Sequence, residues 1–195
     1  MSKANRYEDS EFFYGNLGND NIPDGIIKNI SEATPEYKVG SYYGSENDSE
    51  DQKKKIRDCT LSWLEVSDLN YVETGLRNII ENVNNLVWKF PLKHEWETAI
   101  QVTSYSKVGH HYDWHTDTGR GDEDPEHKRI ISVVYSLSHD KDYEGGEFVL
   151  EKSDPLCEVT FKFDYGDFIV FPSDKYHRVL PLKTGNRLTM VGWFR

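Results

Sequence analysis

His115-Thr116-Asp117 is a His-x-Asp triplet, and His177 and then Arg187 follow it along the chain. In an extended strand side chains alternate between faces, so the imidazole of His115 and the carboxylate of Asp117 point to the same side. A distant second histidine, His177, completes a set of two histidines and one carboxylate. That combination leaves one face of an octahedral metal open and suits a non-haem Fe(II) that activates oxygen. Arg187 adds a planar, permanently charged fork for a carboxylate, which a bidentate 2-oxoacid cosubstrate needs at its far end. The triplet alone does not fix the register, because His111-Tyr112-Asp113 is a second His-x-Asp in the same parity.

Further residues stand at fixed distances from the first triplet: Tyr105, Gly109 and Tyr112 before it, then Gly145-Gly146-Glu147-Phe148 and Gly166-Asp167-Phe168-Ile169-Val170-Phe171-Pro172-Ser173. His177-Arg178-Val179, Gly185-Asn186-Arg187-Leu188-Thr189 and finally Trp193 complete the series. In these motifs the chain resembles the 2-oxoglutarate and Fe(II)-dependent oxygenases of the prolyl 4-hydroxylase type, and most of all the bacterial PKHD-type hydroxylases. The resemblance covers the last hundred or so residues well and the first ninety loosely. It implies an iron triad of His115, Asp117 and His177. It implies that Arg187 binds the distal carboxylate of 2-oxoglutarate, with the hydroxyls of Tyr105 and Thr189 helping, and that Trp193 lines the site. Dioxygen as second cosubstrate and ascorbate as an accessory reductant come with the same likeness. Where several relatives carry a cosubstrate-binding tyrosine this chain has Ser136, with Tyr135 one step away on the opposite face and so read as packing. Arg129 falls where relatives place an arginine near a peptide substrate, and it is carried with Trp193 as a substrate-side candidate.

The chain has 195 residues, a length that suits one domain with a sizeable core. The expectation is a single oxygenase domain over 1–195, with a helix-rich support in 1–97 and the catalytic core in 98–195. A formal charge of −11 opposes a nucleic-acid surface, because phosphate backbones are held by clustered Lys and Arg. Much of the acid lies in Glu46 to Asp51 and Asp122 to Glu126, read as solvated loops, with steering of a basic substrate as the alternative. Two cysteines, Cys59 and Cys157, have no metal-ligand spacing and read as free thiols of a reducing compartment. With no apolar leader or bilayer-length run, the cytoplasm is the expected location and no membrane partner is expected.

Elements must position these residues. Ile22, Ile26, Ile27 and Ile30 suggest a small amphipathic helix closed by Pro35. Leu69, Val72, Leu76, Ile79, Ile80, Val83 and Val87 form a longer stripe of period 3.6, with Ser67 or Asp68 as N-cap. Ser41 to Lys55 reads as a polar mobile loop, and Gly40 to Lys55 as a possible lid over the substrate. From Thr98 onward short strands rich in Val, Ile, Phe, Tyr and Thr alternate with turns: Thr98 to Tyr105, His111 to Thr116, Arg129 to Ser138, Glu147 to Glu151, Glu158 to Phe163, Asp167 to Phe171, Lys175 to Val179 and Arg187 to Phe194. The predicted fold is mainly β with flanking helices (α+β), built on a double-stranded β-helix or jelly-roll core. In the last strand Arg187, Thr189, Val191 and Trp193 share one face, and Leu188, Met190 and Phe194 the other. Trp63, Trp88 and Trp96 read as packing residues, and His94, His110, His127 and His139 have no assigned role.

The expected activity is hydroxylation of a prolyl residue in a peptide or protein, with decarboxylation of 2-oxoglutarate to succinate. The alternatives are an oxygenase acting on a free amino acid, a small metabolite or a non-prolyl side chain, and a jelly roll that binds metal or a small acid without turnover.

Overall fold

The structure is a computed structural model, and it describes residues 7–9, 11–17, 38–42, 44–65, 70–93, 99–119, 128–154 and 157–195. The described strands, in chain order, are β1 (Tyr7–Asp9), β2 (Phe12–Asn16), β3 (Lys38–Val39), β4 (Arg57–Asp58), β5 (Thr60–Glu65), β6 (Ala99–Tyr105), β7 (His111–His115) and β8 (Ile131–Ser136). They continue with β9 (Tyr143–Gly145), β10 (Phe148–Glu151), β11 (Glu158–Phe161), β12 (Asp167–Pro172), β13 (His177–Val179), β14 (Leu182–Gly185) and β15 (Arg187–Phe194). A large sheet runs β1-β2-β12-β8-β15-β6-β5-β3, and a smaller one runs β11-β10-β13-β7-β4. All their pairings are antiparallel.

Period-two alternation sorts the large sheet's side chains into two cores. On β12, Phe168 and Val170 face one core while Ile169 and Phe171 face the other. On β8, Ile131, Val133 and Tyr135 go outward with the first pair and Val134 goes inward. The outer core is covered by helix α2 (Asn70–Val83), which buries Leu76, Ile80 and Val83. The inner core lies between the sheets, where Phe148, Leu150 and Val179 of the small sheet meet Leu61, Tyr105, Ile169 and Phe171 of the large one. This sandwich is the jelly roll that the strand pattern predicts.

Several expectations meet corrections. The stripe fails at Val87, which is 45% exposed. After Val83 the helix widens into a π-turn over Asn84–Trp88, with Lys89 N–H donating to Asn84 O, and the extra residue per turn rotates Val87 off the buried face. Asn84 holds this exit by hydrogen-bonding both the N–H and the carbonyl of Phe90. The polar run 41–55 is not all loop: α1 (Glu50–Ile56) starts at a capping box in which Ser49 and Gln52 satisfy each other's backbone N–H. The short strands β9 and β14, which pair with each other, were not predicted, nor were β1 to β5 in the first half of the chain. The expected helix around Ile22 to Ile30, the N-cap at Ser67 or Asp68, and His94, Trp96 and His127 lie outside the described residues. Among the described residues no helix is long and apolar enough to cross a membrane.

Candidate metal centre

β7 and β13 are neighbours in the small sheet, and their register sets His115 directly opposite His177. Asp117 follows two residues after His115, and its N–H donates to Ser173 O at 2.8 Å, which ties the turn beyond β7 to the end of β12. The carboxylate consequently meets both imidazoles: Oδ1 is 3.7 Å from His115 Nε2, and Oδ2 is 3.6 Å from His177 Nε2. One ligand atom from each of the three lies within 4.8 Å of the others. His111, of the competing triplet, turns instead to the carbonyls of Gly109 and Lys55.

Hydrogen bonds set the tautomers. His115 Nδ1 meets Asp113 O at 2.8 Å and His177 Nδ1 meets Lys175 O at 3.0 Å. A carbonyl only accepts, so Nδ1 of each ring carries the proton and each Nε2 keeps its lone pair for a metal. Burial, then the neighbouring His177, hold the His115 imidazolium well below the usual histidine range, which favours that neutral ligand form. Burial alone would raise the Asp117 carboxyl, but the adjoining His177 and His115 bring it down to about 2, so it is a carboxylate. Asp117 Oδ2 is buried without a hydrogen-bond partner. Two imidazoles whose Nε2 atoms face one carboxylate with an orphaned buried oxygen fit a divalent metal with open positions.

Arg187 stands deeper in the same cavity, on β15 opposite Tyr105 of β6. It is 1% exposed, and its Nε and Nη2 have no hydrogen-bond partner. Its guanidinium carbon lies 5.2 Å from the Tyr105 ring and 5.8 Å from that of Phe163, and its group also contacts the Tyr143 hydroxyl, which donates to Phe163 O. A buried guanidinium with two orphaned donors requires an anion. Gly146 makes room for it: at φ +68° a Cβ there would stand 3.0 Å from Arg187 Cδ.

The cavity, of about 540 Å³, is lined by every predicted site residue: His115, Asp117, His177, Arg187, Tyr105, Thr189, Arg129 and Trp193. Thr189 and Trp193 share the face of Arg187, as the strand alternation predicts, while Leu188, Met190 and Phe194 pack outward. Tyr135 is fully buried in the outer core, a packing residue, and Ser136 bonds locally to Ser138 O. Arg129 stacks 3.7 Å over the Trp193 ring. Trp63, read as a packing residue, packs against Trp193 at 5.9 Å, but it is 50% exposed and joins the cavity wall. Its strand, β5, shows its inward face beyond the edge of the core. Sequence reasoning also missed Arg57, Gln101, Thr103 and Tyr143. Thr103 and Gln101 share parity with Tyr105 on β6, a signal that extending the alternation from Tyr105 would have found.

Fold and site together define a jelly-roll protein with a two-histidine, one-carboxylate triad and a buried arginine in one cavity. Residues 100–195 match the model of the 2OG-Fe(II) oxygenase superfamily, and the chain is similar in sequence to PKHD-type hydroxylases. The chain is 32% identical over 109 residues to a PKHD-type hydroxylase of Crocosphaera subtropica, covering 56% of this chain and 48% of that protein. It is 30% identical over 134 residues to a PKHD-type hydroxylase of Colwellia psychrerythraea, covering 68% of this chain and 58% of the other. The chain thus spans about half the length of such relatives. A prolyl-4-hydroxylase from Pseudomonas putida superposes with a TM-score of 0.68 at 20% identity, over 95% of this chain and 92% of that one. A prolyl hydroxylase from Trichoplax adhaerens, in complex with a hypoxia inducible factor oxygen degradation domain peptide fragment, gives 0.74 at 18%, over 95% and 83%. The superfamily implies iron(II), 2-oxoglutarate and dioxygen, and the orphaned polar atoms of this cavity fit the first two.

Proposed function

We propose that this protein is a 2-oxoglutarate- and Fe(II)-dependent dioxygenase that hydroxylates a prolyl residue in a peptide or protein. The observation that carries the reading is the His115-Asp117-His177 triad sharing a cavity with the buried Arg187, whose Nε and Nη2 have no partner among the described residues. His115 Nε2, His177 Nε2 and the Asp117 carboxylate would hold the metal. Bound iron(II) with 2-oxoglutarate supplies the oxygen-activating chemistry, in which the oxoacid is oxidised to succinate and carbon dioxide while one oxygen atom goes to the substrate.

The remaining work falls to this chain's residues. Arg187 holds the distal carboxylate of 2-oxoglutarate through its two unused donors, and the hydroxyls of Tyr105 and Thr189, on the neighbouring strands of the same sheet, complete the pocket. Phe148, Val134 and Val179 in the wall exclude water from the reacting centre. Trp193, Trp63 and Arg129 form the substrate-side ledge. Structural neighbours that are prolyl hydroxylases support a prolyl substrate, and ascorbate would serve as an accessory reductant. Strands β1 to β5 complete the same two sheets as the C-terminal half, which supports one oxygenase domain. The free Cys59 and Cys157 support a reducing, cytoplasmic setting.

The test is mass spectrometry of a proline-containing peptide library after incubation with protein, Fe(II), 2-oxoglutarate and oxygen. An iron-dependent gain of one oxygen on proline supports the prolyl reading. Succinate without any prolyl gain refutes the substrate and leaves the oxygenase.

A further inference from the structure

Arg57 is a second buried cation in this cavity, and nothing in the reading above employs it. It lies on β4, beside β7 and opposite Tyr112, and is 6% exposed. Its Nη1 donates to Ser41 O at 2.8 Å, its Nη2 to Gln101 Oε1 at 2.5 Å and its Nε to Cys59 Sγ at 3.3 Å. All three acceptors are neutral. Burial pushes the Cys59 thiol up, so it remains S–H and does not supply the missing charge. Among the described residues no carboxylate pairs with Arg57. A guanidinium has five N–H bonds, so one on each terminal nitrogen is still free.

The position is close to the reacting centre. The guanidinium carbon lies 4.2 Å over the Tyr112 ring, and Tyr112 stacks 3.5 Å from the His115 imidazole. One aromatic ring therefore separates Arg57 from a metal-binding side chain. The charges in the wall are Arg57, Arg129, Arg187 and Asp117, a cationic set inside a chain of net charge −11. On the proposed function, 2-oxoglutarate gives one carboxylate to Arg187, and its other carboxylate with Asp117 matches the dication. That leaves Arg129, half-buried against the Trp193 ring, and Arg57, which is fully enclosed, and a buried charge without a counter-ion is costly. A neutral substrate would leave it so.

We infer that Arg57 receives a carboxylate of the primary substrate, so that the hydroxylated carbon belongs to a molecule with an acidic group close by. This rests on the oxygenase reading and narrows its substrate class. The carboxylate has two chemical sources: an Asp or Glu side chain near the target in a peptide, or the free α-carboxylate of an amino acid or chain terminus. Either pairs with the two free N–H groups in the same way.

The test is calorimetric titration of the protein loaded with Mn(II) and 2-oxoglutarate, without oxygen, against acid and amide pairs. The pairs are proline peptides carrying Asp or Asn and Glu or Gln beside the proline, the same peptides with free or amidated C-termini, and free amino acids with their amides. At least one acid should bind roughly ten- to hundredfold more tightly than its amide, as a charge-assisted hydrogen-bonded contact predicts. The pair that discriminates identifies the source of the carboxylate. Arg57→Gln should erase that preference while leaving 2-oxoglutarate affinity within about twofold, a change too small to reflect a lost ionic contact; Arg57→Lys should keep part of it. No discriminating pair with the wild-type protein overturns the inference whatever the variants do. So does a preference that survives Arg57→Gln, or a variant whose loss is in 2-oxoglutarate binding. Wild-type protein that binds Mn(II) and 2-oxoglutarate normally but discriminates no pair refutes this inference alone, whereas failure to bind either one refutes the oxygenase reading beneath it.

Discussion

At the residue scale the chemistry rests on a few atoms whose partners are fixed by backbone. The Nδ1 contacts with Asp113 O and Lys175 O aim the Nε2 lone pairs of His115 and His177 at one point, and Asp117 closes the set. Asp117→Ala should therefore lower Mn(II) affinity more than ~100-fold, since loss even of an outer partner of a ligand costs about 10–100-fold; electron paramagnetic resonance titration reads this. Arg187→Gln should raise the KM for 2-oxoglutarate by about two to four orders of magnitude, because breaking a buried ion pair costs about 3–5 kcal/mol. Initial rates of succinate release at varied cosubstrate check it, and an unchanged KM would remove Arg187 from that role. Gly146→Ala should weaken cosubstrate binding without touching the metal, because the new methyl meets Arg187 Cδ in a backbone conformation with φ +68°. His115, His177 and Arg187 were legible in the sequence because each sits on a strand whose spacing could be counted, and Asp117 by its two-residue step from His115. Arg57 and Tyr143 were not: Arg57 is placed by a contact with Gln101, 44 residues on, and Tyr143 by one with Phe163, 20 residues on. No local pattern encodes such contacts.

At the element scale the site depends on alternation holding through β6, β8, β12 and β15, with α2 covering their outer face. Ile80 is fully buried under that helix, so Ile80→Ala should cost about 2–5 kcal/mol in urea unfolding. Val87→Ala, on the far side of the π-turn, should stay within about 0.5 kcal/mol. Equal losses at the two positions would contradict the helix exit described here. The strands from Thr98 on were legible to within a residue or two at most ends, and Arg187–Phe194 in full, because β-branched and aromatic residues alternate there. β9 and β14 escaped because they are short, and Leu182–Gly185 has one buried residue followed by three exposed. The π-turn escaped because a stripe of period 3.6 continues through Val87 in sequence while the backbone leaves that period.

At the scale of the whole molecule two sheets hold His115 and His177 on one and Arg187 on the other, so folding itself assembles the cavity. Metal binding should then stabilise the folded chain: Mn(II) at one hundred times its Kd should add about 2.7 kcal/mol, seen as a higher Tm, and Asp117→Ala should show no such gain. The central claim is that this cavity couples iron(II) to 2-oxoglutarate. Its most direct test is succinate formation from 2-oxoglutarate under oxygen, with and without Fe(II), by the wild-type protein and by Asp117→Ala. Iron-dependent succinate from the wild type, lost in the variant, is the predicted result. No succinate from the wild type, or equal amounts from both proteins, would contradict it.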